Sequence, residues 1–398
     1  MSPRRDDEQP PIAIIFRSAV FNASERFIQD QAAALTRWRP LVVGLERKGE
    51  LVPRLHGAIV AESPGERMAF RLRGRGGRIE AKVRAACPRL IHAHFGTDGL
   101  LVLPLARTLR VPLITSLRGY DVTRSDRALL GSGRLSWMRY AFGKKRLQRS
   151  GALFLAVSDA LRDQAIARGY PDARTVTHYN GVDLDRFRPD ETPAEPALIL
   201  HVGRLVEKKG TQMLIEALSA NALAHARLVI IGDGPLRGAL EQQARKLGDR
   251  VRFLGALSSD EVAMWMRRAS VLAAPSVTAA DGDAEGLPNV VVEAAASGLP
   301  VVGTMHSGIP EAIEDGVTGF LVPERVPGTL AARLADVLGP EQLRGDMGAA
   351  ARRLADRICA RRDGGPRRPG RGAVVPSRAH QRAWRPAFRD PFPAPGNR

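Results

Sequence analysis

The sequence predicts an α/β protein in two parts, each built on a parallel sheet, and three observations carry that expectation. Short apolar runs alternate with longer stretches of helical period along the chain, which is the rhythm of βαβ units. A short polar, Pro-rich segment, residues 189–196 with Pro189, Asp190, Glu191, Pro193 and Glu195, separates two such series and reads as a linker. Many of the apolar runs end in Gly- or Asp-containing loops, where ligands bind in doubly wound sheets. At 398 residues the chain is long enough for two cores. The expected division is a first domain over 1–188, a second over 197–357, and a tail over 358–398.

In the first half, residues 12–16 (Ile-Ala-Ile-Ile-Phe) read as a buried strand, and a helix opens with Ser24 as its cap and runs through Leu35. Residues 41–44 form a second strand. The chain is then strongly basic over 67–89, with a helix over about 78–86. Residues 90–94 (Leu-Ile-His-Ala-His) are a strand ending at Phe95-Gly96-Thr97-Asp98-Gly99, from which a helix runs to Leu109. The next strand, 111–116, ends at Leu117-Arg118-Gly119-Tyr120-Asp121. A helix over 134–149 carries Trp137, Met138, Tyr140, Phe142 and Leu147 among Arg139, Lys144, Lys145, Arg146 and Arg149. Such a basic amphipathic helix can rest on an anionic membrane surface, and it can equally be an ordinary packed helix with a solvated face. The sequence leaves both readings open. A strand over 154–158, a helix ending near Gly169 and a strand over 175–179 lead into Asn180-Gly181-Val182-Asp183.

The second half repeats the rhythm. A strand over 198–202 is followed by Gly203-Arg204-Leu-Val-Glu-Lys-Lys209-Gly210 and a helix to Leu218; a strand over 227–231 ends in the turn Gly232-Asp233-Gly234-Pro235 and a helix to Leu247. Residues 251–254 are a strand, Ser259 caps a helix through Arg268, and strands are expected over 270–276, 300–303 and 319–322. Helices over 329–338 and from Glu341 to about Arg357 close the series.

The densest chemistry lies in residues 281–298, Asp-Gly-Asp-Ala-Glu285-Gly-Leu-Pro-Asn-Val-Val-Val-Glu293-Ala-Ala-Ala-Ser-Gly298. Pro288 suits the first helical position, where its missing N–H is no loss; Asn289 supports the first turn, and Gly298 stops the helix. Unpaired N–H groups and the positive dipole end make a helix start an anion site, so a phosphate fits over Leu287, Pro288, Asn289 and Val290. Glu293 sits in the second turn and its Cβ tilts toward the N-terminus, which turns its carboxylate to the space faced by Glu285. Two acceptors would then flank a phosphate site, a geometry suited to sugar hydroxyls on either side of a diphosphate.

The net charge of +18 is unevenly spread, with ten Arg and two Asp from Ile358 onward. The charge raises nucleic-acid binding as a reading, but no recognition motif accompanies it, so no nucleic-acid partner is expected. Cys87 and Cys359 match no metal or redox spacing, and the N-terminus lacks a signal peptide pattern. With no apolar stretch of membrane-spanning length, a cytoplasmic protein is expected, with a peripheral position on the inner face of the membrane as an option. The tail is rich in Arg, Pro, Gly and Ala and keeps no apolar period, so disorder is expected there.

These motifs together resemble the retaining glycosyltransferases of family 4, with the GT-B architecture. The resemblance is carried by Gly203-Arg-Leu-Val-Glu-Lys-Lys-Gly210, Ile231-Gly-Asp-Gly-Pro235, Val251-Arg-Phe-Leu-Gly255, Glu285-Gly-Leu-Pro-Asn-Val-Val-Val-Glu293 and Ser307-Gly-Ile-Pro-Glu311, and more loosely by Ala156-Val-Ser-Asp-Ala160 and Asn180-Gly-Val-Asp-Leu-Asp-Arg-Phe187. It implies two Rossmann-like domains facing across a cleft, a nucleotide-sugar donor held by the second, a glycan or lipid-linked acceptor, and no required metal. By motif position Arg204 and Lys209, beside Gly203, would hold the diphosphate. Glu293 would accept from ribose hydroxyls and Glu285 would contact the donor sugar, while Glu311 belongs to the same matched set. The His94-Phe-Gly loop and the residues around Ser24 and Glu25 resemble exopolysaccharide members.

Two departures stand out. The family's His-Gly pair is Arg118-Gly119 here, so Arg118 is a catalytic candidate that can pair with a phosphate or an acidic acceptor, and Asp121 is a candidate to orient the acceptor. The tail shows no helix returning to the first domain, which suggests a reading-frame change near residue 358. The alternative to an active transferase is a catalytically impaired sugar-nucleotide-binding protein.

Overall fold

The computed structural model describes residues 9–22, 25–55, 57–191 and 193–363. The first unit holds β1 (Ile12–Phe16), β2 (Ala19–Val20), β3 (Arg39–Gly44), β4 (Glu46–Arg47), β5 (Ala58–Val60), β6 (Leu90–His94), β7 (Leu113–Leu117), β8 (Leu153–Ala156) and β9 (Thr175–Thr177). The second holds β10 (Leu198–Val202), β11 (Arg227–Ile231), β12 (Val251–Gly255), β13 (Val271–Ala274), β14 (Val301–Thr304) and β15 (Gly319–Val322). Their orders are β5-β3-β1-β6-β7-β8-β9 and β12-β11-β10-β13-β14-β15, every pairing parallel, with β2 and β4 as a small separate ladder.

Both sheets are doubly wound, and their switch points fix where the charged loops gather. The first sheet reverses between β1 and β6, the second between β10 and β13. Crevices open beyond the carboxyl ends of such strand pairs because the two connections leave in opposite directions. The strands are apolar on both faces, as burial between two helical layers requires; Ile14, Phe16, Ile91 and Leu113 in one sheet and Ile199, Leu228, Ile230 and Val302 in the other are inaccessible to solvent.

The observed elements differ from expectation where local signals compete. A helix over Pro64–Arg73 stands in the basic stretch; Ser63 caps it by accepting from Glu66 N, Pro64 opens it and Gly74 closes it in a left-handed conformation. Ser258, not Ser259, caps the Ser259–Arg268 helix, in a capping box with Glu261. The first helix spans Arg26–Ala33 and follows Glu25, while Ser24, the expected cap, lies outside the described residues. The last helix, Glu341–Asp363, runs past Arg357, because Ile358 and Cys359 are buried and continue its apolar face. Its Arg352 donates to the carbonyls of Phe187 at 3.1 Å and Ala296 at 2.7 Å, touching the end of the first unit and the helix that carries Glu293. The rest of the expected disordered tail, 364–398, lies outside the described residues.

Candidate active site: a charged cleft at the second switch point

The loops after β10 and β13 flank the second switch point, and side chains from both meet there. Gly203 follows β10 without a side chain, which leaves room for the stem of Lys209; a Cβ there would sit 3.1 Å from that lysine's Cδ and Cε. Lys209 thereby reaches back across its loop to place Nζ 3.2 Å from Glu285 Oε1. Lys208 stands on the other side, 3.7 Å from the same oxygen and 3.2 Å from Asp283 Oδ1.

Burial alone would raise the Glu285 carboxyl, but Lys208 and Lys209 outweigh it and hold it down at about 2. Glu285 is therefore ionised throughout the physiological range. Its Oε1 is shielded from solvent and, although Lys209 neutralises it by proximity, it receives no well-directed hydrogen bond among the described residues. The backbone behind it is fixed: Glu285 N donates to His306 Nε2 at 3.1 Å, so that ring carries its proton on Nδ1, 2.6 Å from Glu324 Oε1.

Pro288 is the N-cap of the Asn289–Ala296 helix rather than its first residue, and Gly298 ends it with φ 71°. The buried Leu287 anchors the turn, and Asn289 Oδ1 accepts from Asn180 Nδ2 of the first unit at 2.8 Å. The carboxylate of Glu293, on the second turn, has no hydrogen-bond or ion-pair partner among the described residues. Burial, assisted by Asp30, pushes its carboxyl up to about 7 against the pull of Arg186 and Lys209. Arg204 is exposed and likewise unpaired among the described residues. The structure thus brings Lys209 onto Glu285 and places Glu293 within the field of Lys209, with Gly203 and Arg204 in the facing loop.

Glu311, Asp121 and Arg118 do other work. Glu311 leaves the second unit and accepts from Asp159 N and Ala160 N, both at 2.8 Å, so it caps the first unit's Asp159–Ala167 helix with a charge suited to that helix's positive end. It sits among interdomain contacts, not beside Glu285. Asp121 is buried and accepts from Gly96 N at 2.9 Å, Gly119 N at 3.0 Å and Arg118 N at 3.1 Å. Burial raises this carboxyl against those bonds. A carboxylate so occupied pins two loops together and is not available to orient an acceptor, which corrects that expectation.

Arg118 donates to Asn180 Oδ1 at 2.8 Å and Gln31 Oε1 at 3.2 Å, and its guanidinium lies 4.4 Å over the Phe27 ring. Its NH2 also meets His94 Nδ1 at 2.9 Å. Burial, then His92 and Arg118, push His94 well below the ordinary histidine range, so its ring is neutral and accepts at Nδ1. Arg118 is tied into the wall that carries Asn180 and, through it, Asn289. Its main chain abuts the donor loop: a Cβ on Gly286 would come within 2.8 Å of Arg118 O, a contact only glycine permits.

Lys208, Asp283 and His306 belong to the site and were not singled out from the sequence. Lys208 and Asp283 carry a signal, lying inside the Gly203 to Gly210 motif and the 281–298 stretch; His306 acquires its role only through contacts between separate segments. Among the described residues no group of His, Cys, Asp and Glu is arranged to hold a metal ion, and no helix is long and apolar enough to cross a membrane.

Residues 24–186 match the family model described as Glycosyltransferase Family 4, and residues 196–339 the one described as Glycosyl transferases group 1. WcaL of Salmonella typhimurium, a protein named for colanic acid biosynthesis, is 38% identical over 255 residues, 61% of this chain and 60% of its own length. The chain therefore spans less than two thirds of that relative. A GDP-mannose-dependent alpha-(1-6)-phosphatidylinositol monomannoside mannosyltransferase of Mycolicibacterium smegmatis is 30% identical over 303 residues, 69% of this chain and 76% of that protein. Among solved structures, Anabaena Alr3699/HepE in complex with UDP-glucose superposes with a TM-score of 0.68 at 23% identity, covering 87% of this chain and 95% of that one, which shows a shared fold.

Proposed function

The chain belongs to glycosyltransferase family 4, and from that premise we propose that it moves a sugar from a nucleoside-diphosphate sugar to a glycan or lipid-linked acceptor in surface polysaccharide assembly, with retention of anomeric configuration. One observation carries the reading. At the switch point of the second sheet, an ionised Glu285 and an unpartnered Glu293 flank a helix start, opposite Arg204 and Lys209.

Each group has a place in the chemistry. Arg204 and Lys209 neutralise the diphosphate, whose charge grows as the glycosidic bond breaks, so their stabilisation is larger in the transition state than in the ground state. They supply positive charge that a divalent ion would otherwise supply, and we propose no resident metal. The amides at the start of the Asn289–Ala296 helix cradle a phosphate. Glu293 accepts from the ribose hydroxyls. Glu285 faces the donor sugar; with its carboxylate ionised and one oxygen lacking a directed bond, it can take a sugar hydroxyl's hydrogen bond without losing one first. An acceptor hydroxyl then attacks on the face from which the diphosphate departs, its oxygen bonding to the anomeric carbon as the bond to the diphosphate breaks and its proton passing to the departing phosphate oxygen. Arg118 and His94 line the first-unit wall, where they position the sugar-facing end of the cleft.

A neighbouring surface supports a place for the acceptor. The Leu135–Ser150 helix buries Tyr140 and Leu147 but exposes Leu135 (66%) and Phe142 (77%), and the Pro64–Arg73 helix exposes Met68 and Leu72 beside Arg67, Arg71 and Arg73. Arg139 donates to the Arg71 carbonyl and joins the two helices. We propose that this basic, apolar face rests on an anionic membrane that carries the acceptor lipid. Vesicles containing phosphatidylglycerol should retain the protein at low salt and those of phosphatidylcholine should not; equal retention would remove the proposal.

The transferase reading is tested by calorimetric titration with UDP- and GDP-sugars, followed by nucleotide release with and without added acceptor. Binding with release supports it. Binding without release at any acceptor favours the catalytically impaired sugar-nucleotide-binding protein, and absence of binding to every donor overturns the site.

A further inference from the structure

Arg124 is outside the phosphate-facing set and on the first unit, directly after the short Tyr120–Thr123 helix. Its NH2 crosses the cleft to Asp281 at 2.7 Å and Asp283 at 3.3 Å. Asp283 in turn holds Lys208, which stands beside Glu285. Charge therefore alternates in sign at every step from Asp281 through Arg124, Asp283, Lys208 and Glu285 to Lys209.

The Arg124 turn is braced from behind. Arg168 donates to the carbonyls of Thr123 and Arg124, both at 3.0 Å. The Arg124 guanidinium lies 4.2 Å from the centre of the Trp137 ring, which stacks at 5.1 Å on Tyr120, itself 5.3 Å from Phe95. From the other side, Ala284 N donates to Thr123 Oγ1 at 3.2 Å. Arg124 Nε is shielded from solvent with no acceptor among the described residues. A buried donor left so is unfavourable, and the two carboxylates and the Trp137 face hold the side chain in place against it.

We propose that Arg124 is a positioning residue for sugar transfer: it latches the loop bearing Glu285 onto the first unit, so that Glu285 is in its working place only when the cleft is closed. The proposal rests on the transferase reading above. The diphosphate contacts assigned to Arg204 and Lys209 lie wholly on the second unit, so the latch governs turnover and leaves nucleotide affinity alone.

Hydrogen exchange followed by mass spectrometry on the full chain tests this, using R124Q, R124K, D281N and the R124Q/D281N double variant, with UDP and GDP titrations alongside. R124Q and D281N should each speed exchange over residues 281–287 about tenfold or more, leave the β13 strand unchanged, and fail to add in the double variant. R124K should fall between R124Q and the parent. Nucleotide affinity should stay within about threefold while donor turnover drops about tenfold or more. Unchanged exchange over 281–287, additive effects, or affinity lost in step with turnover would overturn the latch. Should R124Q unfold, seen as faster exchange in β13, D281N and R124K decide by the same criteria. Failure of UDP and GDP to bind the parent protein would instead sink the site reading, since the exchange pattern requires no ligand.

Discussion

The two switch points handle buried charge in opposite ways. Beyond β1 and β6, Arg17 is bridged by Glu25 at 2.8 Å and Asp98 at 2.7 Å, and the Asp121 carboxylate takes three main-chain N–H groups. Beyond β10 and β13, Glu285 has an oxygen with no directed bond, the Glu293 carboxylate has no partner among the described residues, and Arg204 projects into solvent. Polar groups already satisfied inside the protein gain nothing from a ligand. Groups buried but unsatisfied carry a desolvation cost that a ligand removes, and on this ground we propose that the second crevice binds and the first frames.

The largest effects should come from the second crevice. E285Q keeps the shape and removes the charge, and donor turnover should fall about 100-fold or more with little change in nucleotide affinity. A parallel loss of affinity would move Glu285 from the sugar to the phosphates. K209A should weaken nucleoside diphosphate binding about 30-fold, the scale of one charge-assisted bond. R204A should do the same, and titration calorimetry reads both; an unchanged R204A would leave that exposed side chain as a solvated one.

The first crevice should respond in stability. D121A orphans three main-chain N–H groups, two of them in buried hydrogen bonds, and should cost about 2–4 kcal/mol, seen as a lower denaturation midpoint, with nucleotide affinity intact once folded. If affinity is lost while stability holds, the division between framing and binding breaks down.

A smaller, pH-dependent effect sharpens the contrast. Glu293 titrates at about 7 in the unliganded protein against 4.5 as an ordinary carboxyl. The native state then holds more protons than the unfolded state between those values, so the residue's contribution falls as pH rises through that window. E293Q should accordingly be more stable than the parent above pH 7 by at most about 3 kcal/mol and equal to it below pH 4. Accepting from ribose hydroxyls favours the ionised carboxyl, so nucleotide binding near pH 7 should release a proton in the parent and none in E293Q, measured as a buffer-dependent binding enthalpy. The smallest effect expected is that of E311Q, about 0.5–1 kcal/mol of helix capping across the interface, seen as slightly faster exchange at the start of the Asp159–Ala167 helix.

Much of the second crevice was legible in the sequence, because its residues sit in contiguous loops whose glycines and charges announce their use. Gly203, Lys209, Glu285 and Glu293 are brought together by strand order alone. The first unit was less legible. The Ala58–Val60 strand is too short to show a period, and the Pro64–Arg73 helix was hidden by its charge even though Ser63, Pro64 and Glu66 spell its start. What could not be read were pairings across the cleft. Glu311 looks like its neighbours in the motif yet caps a helix about 150 residues away in the chain, and nothing near Arg124 names Asp281 as its partner. Asp121 looked available because sequence shows a carboxylate without showing the three amides that surround it.

The crevice between the Gly203 loop and the Glu285 to Glu293 segment is held to grip a nucleoside diphosphate, and every other assignment in the cleft depends on that grip. Its most direct test is calorimetric titration of UDP and GDP into the parent protein and K209A under one buffer and salt. At least one nucleotide should bind the parent, and bind K209A about 30-fold more weakly. Equal affinity for both proteins, or binding of neither nucleotide to a folded parent, would contradict it.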